Sequence, residues 1–339
     1  MPVVDRLGRW CPRRQAVAIC TGLLVALGAI PGGAAPTPPT VNVSSRALSS
    51  ETPRTPVPGS SCSVFPSNNV WNTNISKLPV AYRSRTWLRT MKASSSKLRP
   101  AFGPPPYGKP FAVVGNSHPK VYIKFEYPSG SDPGPYPFGP DTPIEMSADA
   151  HALMVNRDTC MLYELFRADW NGGHPLAGSG AIFNLGSNKL RPNGWTSADA
   201  AGLPIFAGLI RYEEVLSGAI THAIRFTTPR TDCRHIWPAR HDSGTCSRTY
   251  PPMGARFRLK ASYGLSRFSW KVRVILRALK RYGMFVADQG PNWQIWGTMD
   301  SRWTDIIRNQ LKTVPASAFV AVNESACLID RNSGAANCP

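Results

Sequence analysis

His151-Ala-Leu-Met-Val155 and Met161-Leu-Tyr-Glu-Leu-Phe166 are two short apolar runs separated by Asn156-Arg-Asp-Thr-Cys160. Runs too short for helices, joined by a turn-forming cluster, predict two antiparallel strands in a hairpin. The pattern continues outward. Upstream, Lys120-Val-Tyr-Ile-Lys-Phe-Glu-Tyr127 alternates polar and apolar side chains and predicts a half-buried strand. Downstream, residues 180–185, 220–227, 255–262, 284–287 and 293–296 predict further short strands, each bounded by Gly, Pro or Asn. Asp288-Gln-Gly-Pro-Asn292 reads as the hairpin turn between the last two. Helices are expected over 203–216, starting after Pro204 and ending at Ser217-Gly218, over 269–282, and over 302–312. The expected class is α+β, with a mainly antiparallel sheet or sandwich core and about three helices in the C-terminal half.

The chain has 339 residues. Residues 1–15 carry Arg6, Arg9, Arg13 and Arg14 against Asp5, residues 16–30 are apolar, and Pro31-Gly-Gly-Ala-Ala35 supplies small residues for cleavage. This pattern predicts a secretory signal over 1–35, with an apolar segment too short to span a bilayer comfortably. Cys20 lies early in that segment rather than at its end, so a lipoprotein anchor is not indicated. Removing 1–35 takes four arginines and one aspartate, and the net charge falls from +19 to +16. Residues 36–61 are rich in Pro, Thr and Ser and read as a flexible linker. One globular domain is expected over 62–339. No second long apolar run predicts a membrane span, and 42% hydrophobic residues suffice for a core.

Six cysteines remain after the signal: Cys62, Cys160, Cys233, Cys246, Cys327 and Cys338. In an exported chain an even count reads as disulfides. Fifteen connectivities exist for six cysteines. Spacing favours Cys233–Cys246 and Cys327–Cys338 as short closures, leaving Cys62 for Cys160. Each would contribute about 3 kcal/mol in the chain-entropy description. Cys233-x-His235 and His241-x4-Cys246 also place four possible zinc ligands in one loop. Export and the lack of a C-x2-C pair favour the disulfide.

The mature charge invites a nucleic-acid partner. However, 28 of the 39 basic residues are arginines scattered without a Lys/Arg block, and no RNA-binding signature is present. Nucleic acid is therefore not expected; an anionic cell-wall polymer or polysaccharide fits an exported protein better. The oligomeric state is left open.

With only twenty acidic residues, those beside histidine stand out. Asp149-Ala-His151, if extended, puts carboxylate and imidazole on one face, where the acid would fix the tautomer of a general base; a turn Asp and a satisfied His are the bland alternative. Glu164, among apolar neighbours, would act as a general acid if buried or face water if not. Asn193-Gly-Trp-Thr-Ser-Ala-Asp199 combines Trp195 with hydroxyls and Asp199, as a sugar-stacking cleft would, or as a helix cap would. His222 is expected in mid-strand, with Arg225 on the opposite face. Arg256 and Arg258 share a strand face with Lys260, so they are exposed, paired with carboxylates, or aimed at an anionic ligand. The catalytic candidates are thus Asp149, His151, Glu164, Asp199 and His222, and the binding candidates Trp195, Arg225, Arg256 and Arg258. No serine elbow, P-loop, zincin or EF-hand motif occurs, and neither cofactor nor metal is expected.

Several blocks taken together carry a resemblance: Ser147-Ala-Asp-Ala-His-Ala152, Asn193-Gly-Trp-Thr-Ser-Ala-Asp-Ala-Ala-Gly-Leu-Pro-Ile205, His222-Ala-Ile-Arg-Phe226, Pro252-Met-Gly-Ala-Arg-Phe-Arg-Leu-Lys260 and Leu279-Lys-Arg-Tyr-Gly-Met-Phe-Val-Ala-Asp288. Over about residues 62–322 the chain resembles a group of uncharacterised secreted bacterial proteins, some joined to carbohydrate-binding modules. The resemblance implies export and glycans, and carries over no catalytic residue. Two classes of function follow. One is a secreted carbohydrate-active protein that hydrolyses or eliminates a cell-wall or environmental polysaccharide. The other is a non-catalytic glycan- or wall-binding or structural envelope protein. The catalytic class requires its five candidate side chains to line one cleft.

Overall fold

The computed structural model of the chain describes residues 53–339. The expected signal and residues 36–52 of the expected linker lie outside the described residues. Residues 53–61 already pack: Val57 is fully buried and its N–H donates to Cys62 O at 2.8 Å. The molecule is α+β, with twelve strands and four α-helices among the described residues.

In chain order these are α1 (Ser84–Thr90), β1 (Arg99–Ala101), β2 (Ala112–Val114), β3 (Lys124–Phe125), β4 (Ala152–Asn156), β5 (Met161–Phe166), β6 (Leu176–Ala177) and β7 (Ser179–Asn184). There follow α2 (Tyr212–Leu216), β8 (Ile224–Thr228), β9 (Arg256–Leu259), α3 (Trp270–Arg281), β10 (Met284–Gln289), β11 (Gln294–Trp296), α4 (Asp305–Leu311) and β12 (Phe319–Ala321). One sheet has the order β2-β4-β5-β7, the second β1-β11-β8-β10-β9-β12, and β3 pairs with β6.

The hairpin forms as read: β4 and β5 pair antiparallel from Ala152↔Leu165 to Asn156↔Met161. Its strands lack a polar face because both faces are covered. Leu153, Val155 and Leu162 join the main core, while Ala152, Met154, Tyr163 and Leu165 join a second cluster on the other side. α3 is the clearest helix, burying Val272, Val274, Ile275, Leu276, Ala278 and Leu279. Gly283, at φ +67°, stops it; a Cβ there would lie 2.3 Å from Phe257 O.

The second sheet departs from expectation in its connections. β8 pairs parallel with β10 and antiparallel with β11, and so lies between them. Asp288–Asn292 is therefore a step across β8, not a hairpin turn. The strand expected over 120–127 shrinks to β3, and that over 220–227 begins only at Ile224. The helix expected over 203–216 is reduced to α2. Before it the chain makes a single 3-10 turn, Phe206–Gly208, and then extends. Gly208 explains the break: a Cβ there would sit 2.7 Å from both Arg225 N and Arg225 Cβ, so this backbone is pressed against β8.

All three disulfides follow the spacing: Cys62–Cys160, Cys233–Cys246 and Cys327–Cys338. No helix among the described residues is long and apolar enough to cross a membrane.

Of the cations expected on one face of β9, Arg256 and Arg258 are held by groups of the chain itself. Arg256 is buried, ion-paired with Glu324 at 2.6 Å, and donates to the carbonyls of Val70, Thr73 and Tyr282. Arg258 donates to Ile75 O and Leu78 O. β9 thus pins residues 70–78 through its arginines. Arg256→Ala would leave the Glu324 carboxylate buried and unpaired, at a cost of about 3–5 kcal/mol. Urea unfolding should show that loss as a lower midpoint with an unchanged slope; a variant of wild-type midpoint would contradict the pinning role.

Candidate functional site

A cleft of about 670 Å³ opens where the two sheets meet. Its walls come from Tyr127–Gly130, Asp149, the start of β7, the loop around Thr196–Ala200, His241 and the end of β10. Local backbone geometry delivers the acidic groups. A register shift between Val286 and Asp288 leaves Ala287 unpaired and sets Asp288 opposite Thr227 at the sheet's end. Asp199 sits in a loop closed by Ser197, whose hydroxyl donates to Leu203 O at 2.6 Å and accepts from Asp199 N at 2.9 Å.

Arg225 projects from β8, fully buried, and grips Asp199 with two bonds: Nε to Oδ2 at 2.8 Å and Nη2 to Oδ1 at 2.6 Å. Asp288 Oδ2 lies 4.0 Å from the same Nη2. Two carboxyls therefore share one guanidinium. Burial first, and then the charge of Asp199, push the Asp288 carboxyl well above the usual carboxylate range against the pull of Arg225. Asp288 keeps a proton where an ordinary aspartate has lost it. It is also the member of the pair that solvent reaches, with a quarter of its side chain exposed against none for Asp199.

Behind the cleft lies a second buried group. Lys109 Nζ bonds Glu145 Oε2 at 2.8 Å and His151 Nδ1 at 2.9 Å, and His151 Nδ1 lies 2.5 Å from Glu145 Oε2. His151 Nε2 donates to Ala198 O at 3.1 Å, which tethers the residue before Asp199. Nε2 thus faces an acceptor, while Nδ1 lies between the Lys109 ammonium and the Glu145 carboxylate. Burial raises Glu145, but the His151 bond and the Lys109 charge outweigh it and bring the carboxyl to about 2. Burial and Lys109 lower His151. Trp296 on β11 links the two groups, with Lys109 Nζ 4.2 Å and the Arg225 guanidinium 5.4 Å from its ring.

The five catalytic candidates do not line one cleft. Asp149 and Asp199 do. The Asp149–His151 pair is not formed: Ala150 has φ +41°, the segment turns, and the strand starts at Ala152, so Asp149 stays exposed while His151 turns inward to Glu145. Glu164 is buried on the main-core face of β5 and accepts from Ile205 N at 2.9 Å and Phe206 N at 2.8 Å. His222 precedes β8 and bonds Glu214 Oε2 at 3.1 Å, away from the cleft. Among the binding candidates, Trp195 packs beside the Arg191 guanidinium, and Arg225 is occupied by Asp199. Arg256 and Arg258 hold the backbone of residues 70–78.

Asp288 and His241 are the cleft residues that the sequence did not point to. Asp288 was hidden in an apparent turn. His241 stood out only as one of four possible zinc ligands, but Cys233–Cys246 is a disulfide, His235 bonds Asp242, and no metal-holding group of three exists among the described residues. His241 Nδ1 donates to Ala200 O at 2.9 Å. No family model, curated protein or solved structure matches the chain.

Burial pushes Glu164 up to about 7, against the two backbone donors that favour its charge. A carboxyl raised in the folded state stabilises fully below its ordinary value of 4.5, and that contribution is lost as pH rises through about 7. Glu164→Ala should cost about 1–3 kcal/mol for each orphaned N–H. The gap between wild type and variant in urea midpoint should narrow from pH 5 to pH 8; a gap that widens would contradict the assignment.

Proposed function

We propose that this is a secreted carbohydrate-active protein that hydrolyses a polysaccharide in the cleft bearing Asp288. The observation that carries the proposal is the placement of Asp288 on the cleft wall that solvent reaches, 4.0 Å from the buried guanidinium of Arg225 that already grips Asp199, surroundings that favour its protonated form. Such a carboxyl is suited to protonate a departing glycosidic oxygen. Asp149 faces the same cleft as an exposed carboxylate and is assigned to take the proton of the attacking water, so that one C–O bond breaks as another forms. The hydroxyls of Ser129 and Thr196, the amide of Gln289 and His241 Nε2 supply partners for sugar hydroxyls. Tyr127 and Phe166 supply apolar surface for a ring face.

Elimination from a uronate is less well supported. That reaction needs an arginine or asparagine beside the substrate carboxylate, and among the described residues no lysine, arginine or asparagine lines the cleft. Export is supported by the arginine-rich apolar N-terminus and by three disulfides.

Incubating the purified protein with a panel of polysaccharides, and scoring reducing ends and unsaturated uronates, tests the reading. Reducing ends without unsaturated products are expected. Asp288→Asn should lower their rate by about 100-fold or more, the scale of general acid catalysis. Activity should fall as pH rises through the raised Asp288 value, because only the protonated form donates. Full activity in Asp288→Asn, or no release from any polymer, would overturn the assignment.

A further inference from the structure

Between Asp242 and Asp288 the sequence holds ten lysines and arginines and no carboxylate. Arg256 is neutralised by Glu324. Arg258, on β9, and Lys280 and Arg281, at the end of α3, come together with Arg54 along two hollows of about 580 and 330 Å³. The hollows adjoin at Asn74 and Arg281, which line both, and are taken together as a groove. Among the described residues no aspartate or glutamate lines it, and it has no residue in common with the cleft.

The hydrogen bonds of these cations orient them without neutralising them. Arg258 donates to the carbonyls of Ile75 and Leu78 at 2.7 and 2.8 Å, and Lys280 to those of Ala261 and Tyr263 at 2.8 and 2.6 Å. Arg54 donates to Phe65 O. Burial lowers Arg258 and Lys280, and no carboxylate acts back on either. Arg54, Arg258 and Lys280 are thus held by backbone carbonyls, Arg281 stands exposed beside the Tyr282 ring, and among the described residues no side-chain carboxylate forms an ion pair with any of the four. The amides of Asn68, Asn74 and Asn337, all exposed, stand among them.

We propose that this groove binds an acidic polysaccharide, a chain of uronate sugars, as an anchor separate from the cleft. Carboxylates spaced along a sugar chain match fixed cations interleaved with amides that bond hydroxyls. A single-stranded nucleic acid fits less well, because such chains are held by bases stacked on aromatic rings. The one aromatic side chain among the described residues of the groove, Tyr282, is buried.

Calorimetric titration of the purified protein with polygalacturonate, neutral dextran and a DNA oligonucleotide tests the proposal. Polygalacturonate should bind and weaken as salt is raised, dextran should not bind, and DNA should bind more weakly. Lys280→Gln with Arg281→Ala should weaken polygalacturonate at least about tenfold, the size of one charge-assisted hydrogen bond. Arg85→Ala with Arg157→Ala removes the same charge from exposed positions elsewhere and should leave affinity unchanged. Equal weakening in that control, dextran binding as well as polygalacturonate, or DNA binding as tightly would overturn the proposal. Asp288→Asn should bind polygalacturonate as wild type does, so the groove and the cleft fail or stand separately.

Discussion

A guanidinium sealed inside a sheet must be met by a carboxylate, and Arg225 imposes that condition on everything around it. It stands on β8, an interior strand of the six-stranded sheet, and is fully buried. Leaving such a charge unpaired costs several kcal/mol. Asp199 meets the requirement with a bidentate contact. To reach it, the 193–204 segment must fold back as a loop rather than open a helix. The 3-10 turn that follows must press Gly208 onto the β8 backbone, and its N–H groups at Ile205 and Phe206 find their acceptor in Glu164 across from β5. The chemistry of the cleft derives from the same pair. A second carboxyl brought beside Asp199 by β10 cannot lose its proton easily, and that carboxyl is Asp288.

The Lys109–Glu145–His151 group extends this constraint to the smaller sheet. His151 heads β4, Lys109 precedes β2, and the bond from His151 to Ala198 O holds the loop immediately before Asp199. Trp296 lies against both Lys109 and Arg225. The two sheets, which share the main apolar core, are thus also joined by a polar seam in which Arg225 is paired with Asp199 and Lys109 with Glu145. A seam of this kind fixes relative position more strictly than apolar packing does, because a displaced partner leaves a buried charge.

Elements that depend on neighbours in sequence were legible before the structure: the β4–β5 hairpin with its turn, α3 with its apolar stripe and terminal glycine, and the two disulfides of short spacing, which left Cys62 for Cys160. What was not legible depends on partners remote in the chain. β10 and β11 look like a hairpin in sequence, but β8, some sixty residues earlier, takes the place between them. Asp149 and His151 look like a pair, but Ala150 turns the backbone and Glu145 captures the imidazole. Residues 203–211 look helical by composition, yet contact with Arg225 leaves no room for a helix. Of the site, Asp199 and Asp149 were readable because scarce acids beside Trp and His attract notice. Asp288 was not, since its perturbation arises from Asp199 and Arg225, neither near it in sequence. The groove was not legible, because Arg54, Asn68 and Asn74 come from the start of the described chain and Asn337 from its end.

The protonation of Asp288 is where sequence, packing and proposed chemistry converge. Carbon-13 NMR of the aspartate side-chain carboxyls, with the Asp288 signal assigned by its loss in Asp288→Asn, measures it directly through a pH titration. The account predicts a midpoint well above that of an ordinary aspartate. A titration in the ordinary range near 3.8 would contradict it.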